Sequence, residues 1–301
     1  MSESRSSSSQ SPDGSHPGDG NLSPAQPNPA PSPHRDAHSP REEGKVQSRD
    51  LSTAPDISAL LSNWNYEPGT ISVRTIVGGD GSHKLQMRVE LGLLQMEVSG
   101  RPDGARPYGH ESLLEYFDKQ LEEYGTANGS NLGFHLTRPQ CEALRHEAAM
   151  YYQRYLSLFA LEDFAGVMRD TSRNLRVLDL CGKFAVEEQD RLWLEQYRPY
   201  IIMMYGRAKA SLQIKEGKTA EAYRSVKLAM RRIREFFEKF QQPDAFKHST
   251  EVKVLKKLAR ELKKKLPVDP LKQLQKDLDR AVQAERYEEA ARLRDQIAKL
   301  G

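Results

Sequence analysis

Cysteine is nearly absent from this chain. Cys141 and Cys181 are the only two in 301 residues, and both lie in sequence of helical character. No disulfide framework can be built from them, a reducing compartment fits, and the expectation is two buried thiols acting as small apolar groups. Long apolar runs are missing as well. No stretch of about 18 such residues could span a bilayer, and the start of the chain lacks the positive and apolar segments of a secretory signal. The expected location is cytoplasmic. The spacings that announce chemistry are also lacking: there is no Cys-x-x-Cys, no His-Glu-x-x-His and no phosphate loop ending in Gly-Lys-Ser/Thr. Gly78-Gly79-Asp80-Gly81 has no following Lys-Ser/Thr and sits where a hairpin turn is expected. His83, His110, His135 and His146 show no ligand spacing. Adjacent carboxylates such as Glu187-Glu188 and Glu288-Glu289 diverge by about 100° on a helix and cannot share a proton. The sequence therefore predicts a non-enzyme, with no catalytic residue, cofactor or metal site.

What is present is unevenly distributed. Hydrophobic residues make up 37% of the chain and the mean hydropathy is −0.73, and the deficit is concentrated in residues 1–55, rich in Ser, Pro and Gly. Such a segment has too little apolar surface to offset its own ordering and reads as a disordered tail. Four further segments follow: a small α+β portion over 56–109, a helical-hairpin body over 110–248, a basic amphipathic connector helix over 249–267, and an antiparallel two-helix hairpin over 268–301. The fold class is mostly α, with a minor β component.

The α+β portion opens with Ile57, Leu60, Leu61 and Trp64 at helical spacing, with Asp56 as a cap. Ile71, Val73 and Val77 then alternate, as do Leu85, Met87, Val89 and Leu91 after the glycine-rich turn, which predicts a β-hairpin. Past Gly92 the apolar residues Leu94, Met96 and Val98 change phase, and a bulge or bend at Gly92 accounts for this. A lone hairpin is marginal in water, so this one is expected to pair with further strands, lie on helices, or meet its copy in another chain. The Gly- and Pro-dense loop 100–109 reads as a crossover, or as a ligand loop presenting Arg101, Asp103 and Arg106.

From Glu111 to Lys265 the pattern is helix between short breakers, including one helix over 187–215 and another over 219–240 separated by Gly217. Tyr151, Tyr152, Tyr155 and Phe159 mark a core stripe; a base-stacking platform is the alternative. The pair of helices around Gly217 partially resembles a tetratricopeptide repeat, with Ala210, Glu221-Ala222 and Ala229 near that repeat's small-residue positions. The spacing of the preceding hairpin does not fit a regular array, so the prediction is limited to stacked helical hairpins.

At the C-terminus, Leu271, Leu274, Leu278 and Ala281 recur at intervals of 3, 4 and 3, and Ala290, Leu293, Ile297 and Leu300 repeat that spacing. Each helix thus carries one apolar stripe. Asp269 and Pro270 mark the start, Ala284-Glu285-Arg286 permits reversal, and Ala281, Ala290 and Ala291 permit close approach. Units below about 40 residues seldom bury enough to stand alone. The run Leu278-x-x-Ala281 followed by Tyr287-Glu288-x-Ala290-Ala291-x-Leu293-Arg294-Asp295-x-Ile297 resembles the UVR motif of the excision-repair proteins UvrB and UvrC, with Tyr287 where the family favours Phe and Leu278 where Met is common. That resemblance implies protein–protein association through Leu271, Leu274, Leu278, Ala281, Tyr287, Ala290, Ala291, Leu293, Arg294, Asp295 and Ile297. It covers about a tenth of the chain.

Net charge is +3, yet basic residues gather over 224–265. Leu255, Leu258, Leu262 and Leu266 share one face of a helix whose other faces carry Lys256, Lys257, Arg260, Lys263 and Lys264. Such a helix reads as a connector packed on the body, as a nucleic-acid surface contacting phosphate through those five residues, or as a membrane-surface helix. The leading expectation is a soluble adaptor that docks on a protein partner or its own copy through the C-terminal hairpin. The alternative is a DNA-binding accessory factor of nucleotide excision repair, and a third reading is an enzyme site at the loop 100–109.

Overall fold

A computed structural model describes residues 56–266 and 270–300. The tail over 1–55 and the Asp269 cap lie outside the described residues, as does the Leu300 side chain. The elements run α1 (Ser58–Leu61), β1 (Val73–Val77), β2 (His83–Val89), β3 (Gly92–Glu97), a 3-10 turn (Pro107–Gly109), α2 (Leu113–Asn128), α3 (Arg138–Ala160), α4 (Phe164–Phe184), α5 (Glu188–Trp193), a second 3-10 turn (Glu195–Tyr197), α6 (Arg198–Lys215), α7 (Thr219–Lys239), α8 (Ala245–His248), α9 (Thr250–Lys265), α10 (Pro270–Gln283) and α11 (Tyr287–Leu300). The chain is mostly helical with one three-stranded antiparallel sheet in the order β1-β2-β3.

The change of phase at Gly92 is a second reversal rather than a bulge. β2 pairs with β3 so that Leu85 faces Met96, Met87 faces Leu94 and Val89 faces Gly92, leaving Glu90 and Leu91 as a two-residue turn. This register pairs odd positions with even ones, so apolar residues that share a face must change parity across the turn. Leu85, Met87 and Met96 are buried against the helices. The opposite face is not simply solvated: Gln86 is buried, accepts from Arg74 Nε at 2.8 Å and donates to Gln95 at 2.9 Å, while the Trp64 ring lies 4.1 Å from the Arg74 guanidinium. Val77, expected on the apolar side, is 64% exposed at the strand end. Asp56 stands one residue before the N-cap, Ile57, which has no side-chain cap bond; its carboxylate accepts the Ser58 N–H at 3.0 Å.

Two buried ion clusters fix the sheet and the loop after it to the helices. Arg154 donates twice to Asp170, at 2.7 and 2.9 Å, and its remaining nitrogen reaches the carbonyls of Glu97 and Gly100 at 3.1 and 2.8 Å. Arg169 adds Val98 O at 3.0 Å. The fully buried Glu147 accepts the N–H of Leu113 at 2.8 Å and of Leu114 at 3.4 Å, so a carboxylate from α3 satisfies the first turn of α2, where the helix dipole favours negative charge. Its counter-charges are Arg173, in direct contact, and Arg101 at 3.5 Å. Burial and the neighbouring Arg101 and Arg176 push the Arg173 guanidinium down, to about 9, against the opposing pull of Asp118. Burial likewise pushes the Tyr151 hydroxyl beside this cluster up to about 12.

The helical body is layered. α3 packs on α4, α4 on α6, α6 on α7 and α7 on α9. α6 and α7 approach so closely that a Cβ on Gly206 would stand 2.5 Å from that of Ala229, and the reversal between them uses Gly217 at φ +75°. The helix expected over 187–215 is broken into α5, a 3-10 turn and α6, because Arg198-Pro199 begins a new helix and proline cannot continue the old one. Tyr151 and Tyr155 are core residues, and Cys141 and Cys181 are buried and unbridged.

Candidate docking hairpin and basic layer

α10 and α11 form the antiparallel pair. The reversal leaves Glu285 at φ +57°, the left-handed region that a non-glycine residue enters at a cost of about 1 kcal/mol. The Arg286 N–H donates to Ala281 O at 2.8 Å and the Ala284 N–H to Arg280 O at 3.0 Å, so the end of α10 is closed by its own backbone. The seam is thin. Of the described side chains only Ala281 and Ala290 are buried, at 1% and 8% exposure, and neither belongs to the core shared by the sheet and the body.

The large residues of the stripes are incompletely covered. Leu274, Leu278, Leu293 and Ile297 are half-buried, Leu271 is 40% exposed and Val282 50%. Ala281 and Ala290 thus allow the close approach expected of them, whereas Ala291 faces outward and is exposed. Tyr287, at the first position of α11, is 69% exposed. Arg294 pairs with its neighbour Asp295 at 3.2 Å, on the surface. Arg286 and Glu289 meet at 2.9 Å, and Asp277 accepts from Gln273 and Arg280. These solvated pairs contribute little stability; they hold the polar faces outward and leave the apolar seam uncharged.

The basic layer is built by two helices, α7 and α9, joined through the short α8. Residues 219–265 hold fourteen Lys and Arg against six Asp and Glu, a local balance of +8 in a chain of +3. Val226, Ala229 and Ile233 of α7 and Val252, Leu255, Ala259 and Leu262 of α9 are buried in the body core; Leu258 and Leu266 are only partly buried. Burial of the apolar faces turns the cations to solvent: Lys256, Lys257, Arg260, Lys263 and Lys264 are all exposed. None makes an ion pair with another described residue. Arg234 of α7 and Lys256 of α9 converge on Phe246 of α8, at 4.8 and 5.7 Å from its ring, a meeting point within the basic stretch that no sequence spacing foretells.

At the loop 100–109, Arg101 pairs with Asp103 at 3.1 Å and is directed toward Glu147, whereas Arg106 reaches only the Gly109 carbonyl, at 3.5 Å. Arg101 therefore belongs to the buried ion cluster, and Arg106 is separate from it. The residue that sequence reading missed at this place is Glu147. An acid inside the apolar stripe of α3 was the available signal, since carboxylates are seldom buried without partners. Among the described residues no helix is long and apolar enough to cross a membrane, and no group of three or more His, Cys, Asp or Glu could hold a metal ion.

Residues 269–301 match the family model described as the UvrB/uvrC motif, so the C-terminal resemblance holds across the whole hairpin. No curated protein and no solved structure matches the chain.

Proposed function

We propose that this protein is a non-catalytic adaptor that docks through α10 and α11 on a protein partner. One observation carries the reading: the hairpin closes its turn with its own backbone, yet of its described side chains only two alanines are buried, while Leu274, Leu278, Leu293 and Ile297 are half-covered. From a fully exposed reference, sequestering four such side chains yields on the order of 10 kcal/mol. The hairpin already secures roughly half of that within itself. About 5 kcal/mol gross remains for an added surface, before association and ordering costs. Weak, readily reversed capture follows, and it is sensitive to one charge placed in the seam.

The test is partner capture by the full chain and by Leu278→Asp, with crosslinking in cell extract compared against a chain ending at Leu266. Loss of one specific partner from both variants, with the body still folded, supports docking. Undiminished capture by Leu278→Asp sinks it.

A second reading, a DNA-binding accessory factor of excision repair, is favoured by the convergence of α7 and α9 cations around Phe246. Contacts to phosphate release counterions, so affinity must fall steeply with salt. Changing Lys256, Lys257, Lys263 and Lys264 to Gln should flatten that dependence; absence of DNA binding even at low salt removes this reading.

A further inference from the structure

α4 lies between α3 and α6 and packs on both. Where α3 and α6 stand apart, a cavity of about 460 Å³ opens, well beyond the voids of a close-packed interior and within the range of small-molecule sites. Its walls are rings: Tyr152 and Tyr155 from α3, Trp193 and Tyr197 from the α5–α6 connection, and Tyr200 from α6. Tyr152 meets Tyr155 edge-on with centroids 5.4 Å apart and lies 6.1 Å from Tyr200 across the gap. The space itself exists because α3 presents Ala148 and Ala149 there rather than larger side chains.

Two polar features define what fits. Tyr200 Oη is buried with no well-formed hydrogen bond, its neighbour across the cavity being the Tyr152 hydroxyl. A buried hydroxyl left in that state costs free energy that a ligand atom can recover. Burial also pushes the Tyr200 hydroxyl above its ordinary value, so it is a donor at neutral pH. Charge is compensated at the mouth: Arg145 donates to Asp190 at 2.7 Å and sits 5.5 Å over the Trp193 ring, while His146 is exposed. Arg145, the one Lys or Arg of the lining, is already paired with Asp190, so an anionic ligand gains little from it, whereas a flat ring would find edges and faces on several sides.

We propose that this cavity binds a neutral, flat aromatic compound carrying one hydrogen-bonding substituent, which the paired hydroxyls of Tyr152 and Tyr200 receive. This site is independent of the docking hairpin and persists whether or not the adaptor reading holds.

The test is titration calorimetry of the full chain at pH 7 with 2-naphthol as the probe, beside cyclohexanol and naphthalene-2-sulfonate. Saturable one-to-one binding of 2-naphthol is expected, with the other two at least ten-fold weaker. Ala149 is exposed at the mouth, so Ala149→Leu should fill the entrance and weaken 2-naphthol at least ten-fold without shifting the melting temperature. Tyr200→Phe, which removes only the hydroxyl, should weaken it roughly five-fold. No saturable heat, equal affinity for cyclohexanol or the sulfonate, or unchanged affinity in a folded Ala149→Leu or Tyr200→Phe variant overturns the assignment.

Discussion

The chain contains two helical pairs built on the same small-residue device, and they end differently. In α6–α7, Gly206 against Ala229 brings the axes together, and α4 and α9 then cover the outer flanks, so Ala208, Ala210, Val226 and Ile233 are all fully buried. In α10–α11, Ala281 and Ala290 bring the axes together, but α10 and α11 pack principally on each other. Close approach alone seals only the residues at the seam. Each helix of a two-helix unit has one neighbour, and a stripe about 100° wide needs at least two. The body finds its further layers within the chain; the hairpin keeps part of its apolar stripes uncovered.

The strongest way to break this comparison is to remove a layer's anchor in the body. Glu147→Ala leaves the Leu113 and Leu114 N–H groups and Arg173 without their buried acceptor. A loss of about 3–5 kcal/mol is expected, read from the urea unfolding curve at pH 7. Next in size is Leu255→Ala at the α7–α9 contact, fully buried in the wild type, which should cost about 2–5 kcal/mol by leaving a cavity. The paired change in the hairpin, Leu278→Ala, should leave the main unfolding transition within about 0.5 kcal/mol of wild type. If Leu278→Ala destabilises the body as strongly as Leu255→Ala does, the two pairs share one core and the contrast fails. Deleting residues 267–301 sharpens the same point, with the body's melting temperature expected to move by no more than about 2 °C. The smallest stability effect belongs to the quadruple change of Lys256, Lys257, Lys263 and Lys264 to Gln. It takes the formal charge from +3 to −1 yet touches only exposed side chains, so thermal unfolding should shift little.

Local pattern made several elements readable. The alternation of Leu85 and Met87 marks a strand, the leucines of 271–297 mark two stripes, and Gly217 marks a reversal. Other elements depended on knowing which segments meet. The parity change at Gly92 is compatible with a bulge or a turn until β3 is seen to pair with β2. Arg198-Pro199 stands within a continuous apolar pattern, and its proline is the one local mark that the pattern spans two helices. Arg154 and Asp170 look like ordinary helix-surface charges in isolation, because Arg154 also reaches a carbonyl 57 residues away.

By itself the sequence determined the helical content, the weak apolar endowment of the last thirty residues and the concentration of cations before them, since propensity, periodicity and charge are carried by neighbouring residues. Tertiary structure decided which polar groups are buried together, how α7 and α9 merge their cations around Phe246, and where α3 and α6 stand apart to leave an aromatic cavity. Those outcomes depend on distances between whole elements, and such distances are set only when the layers pack.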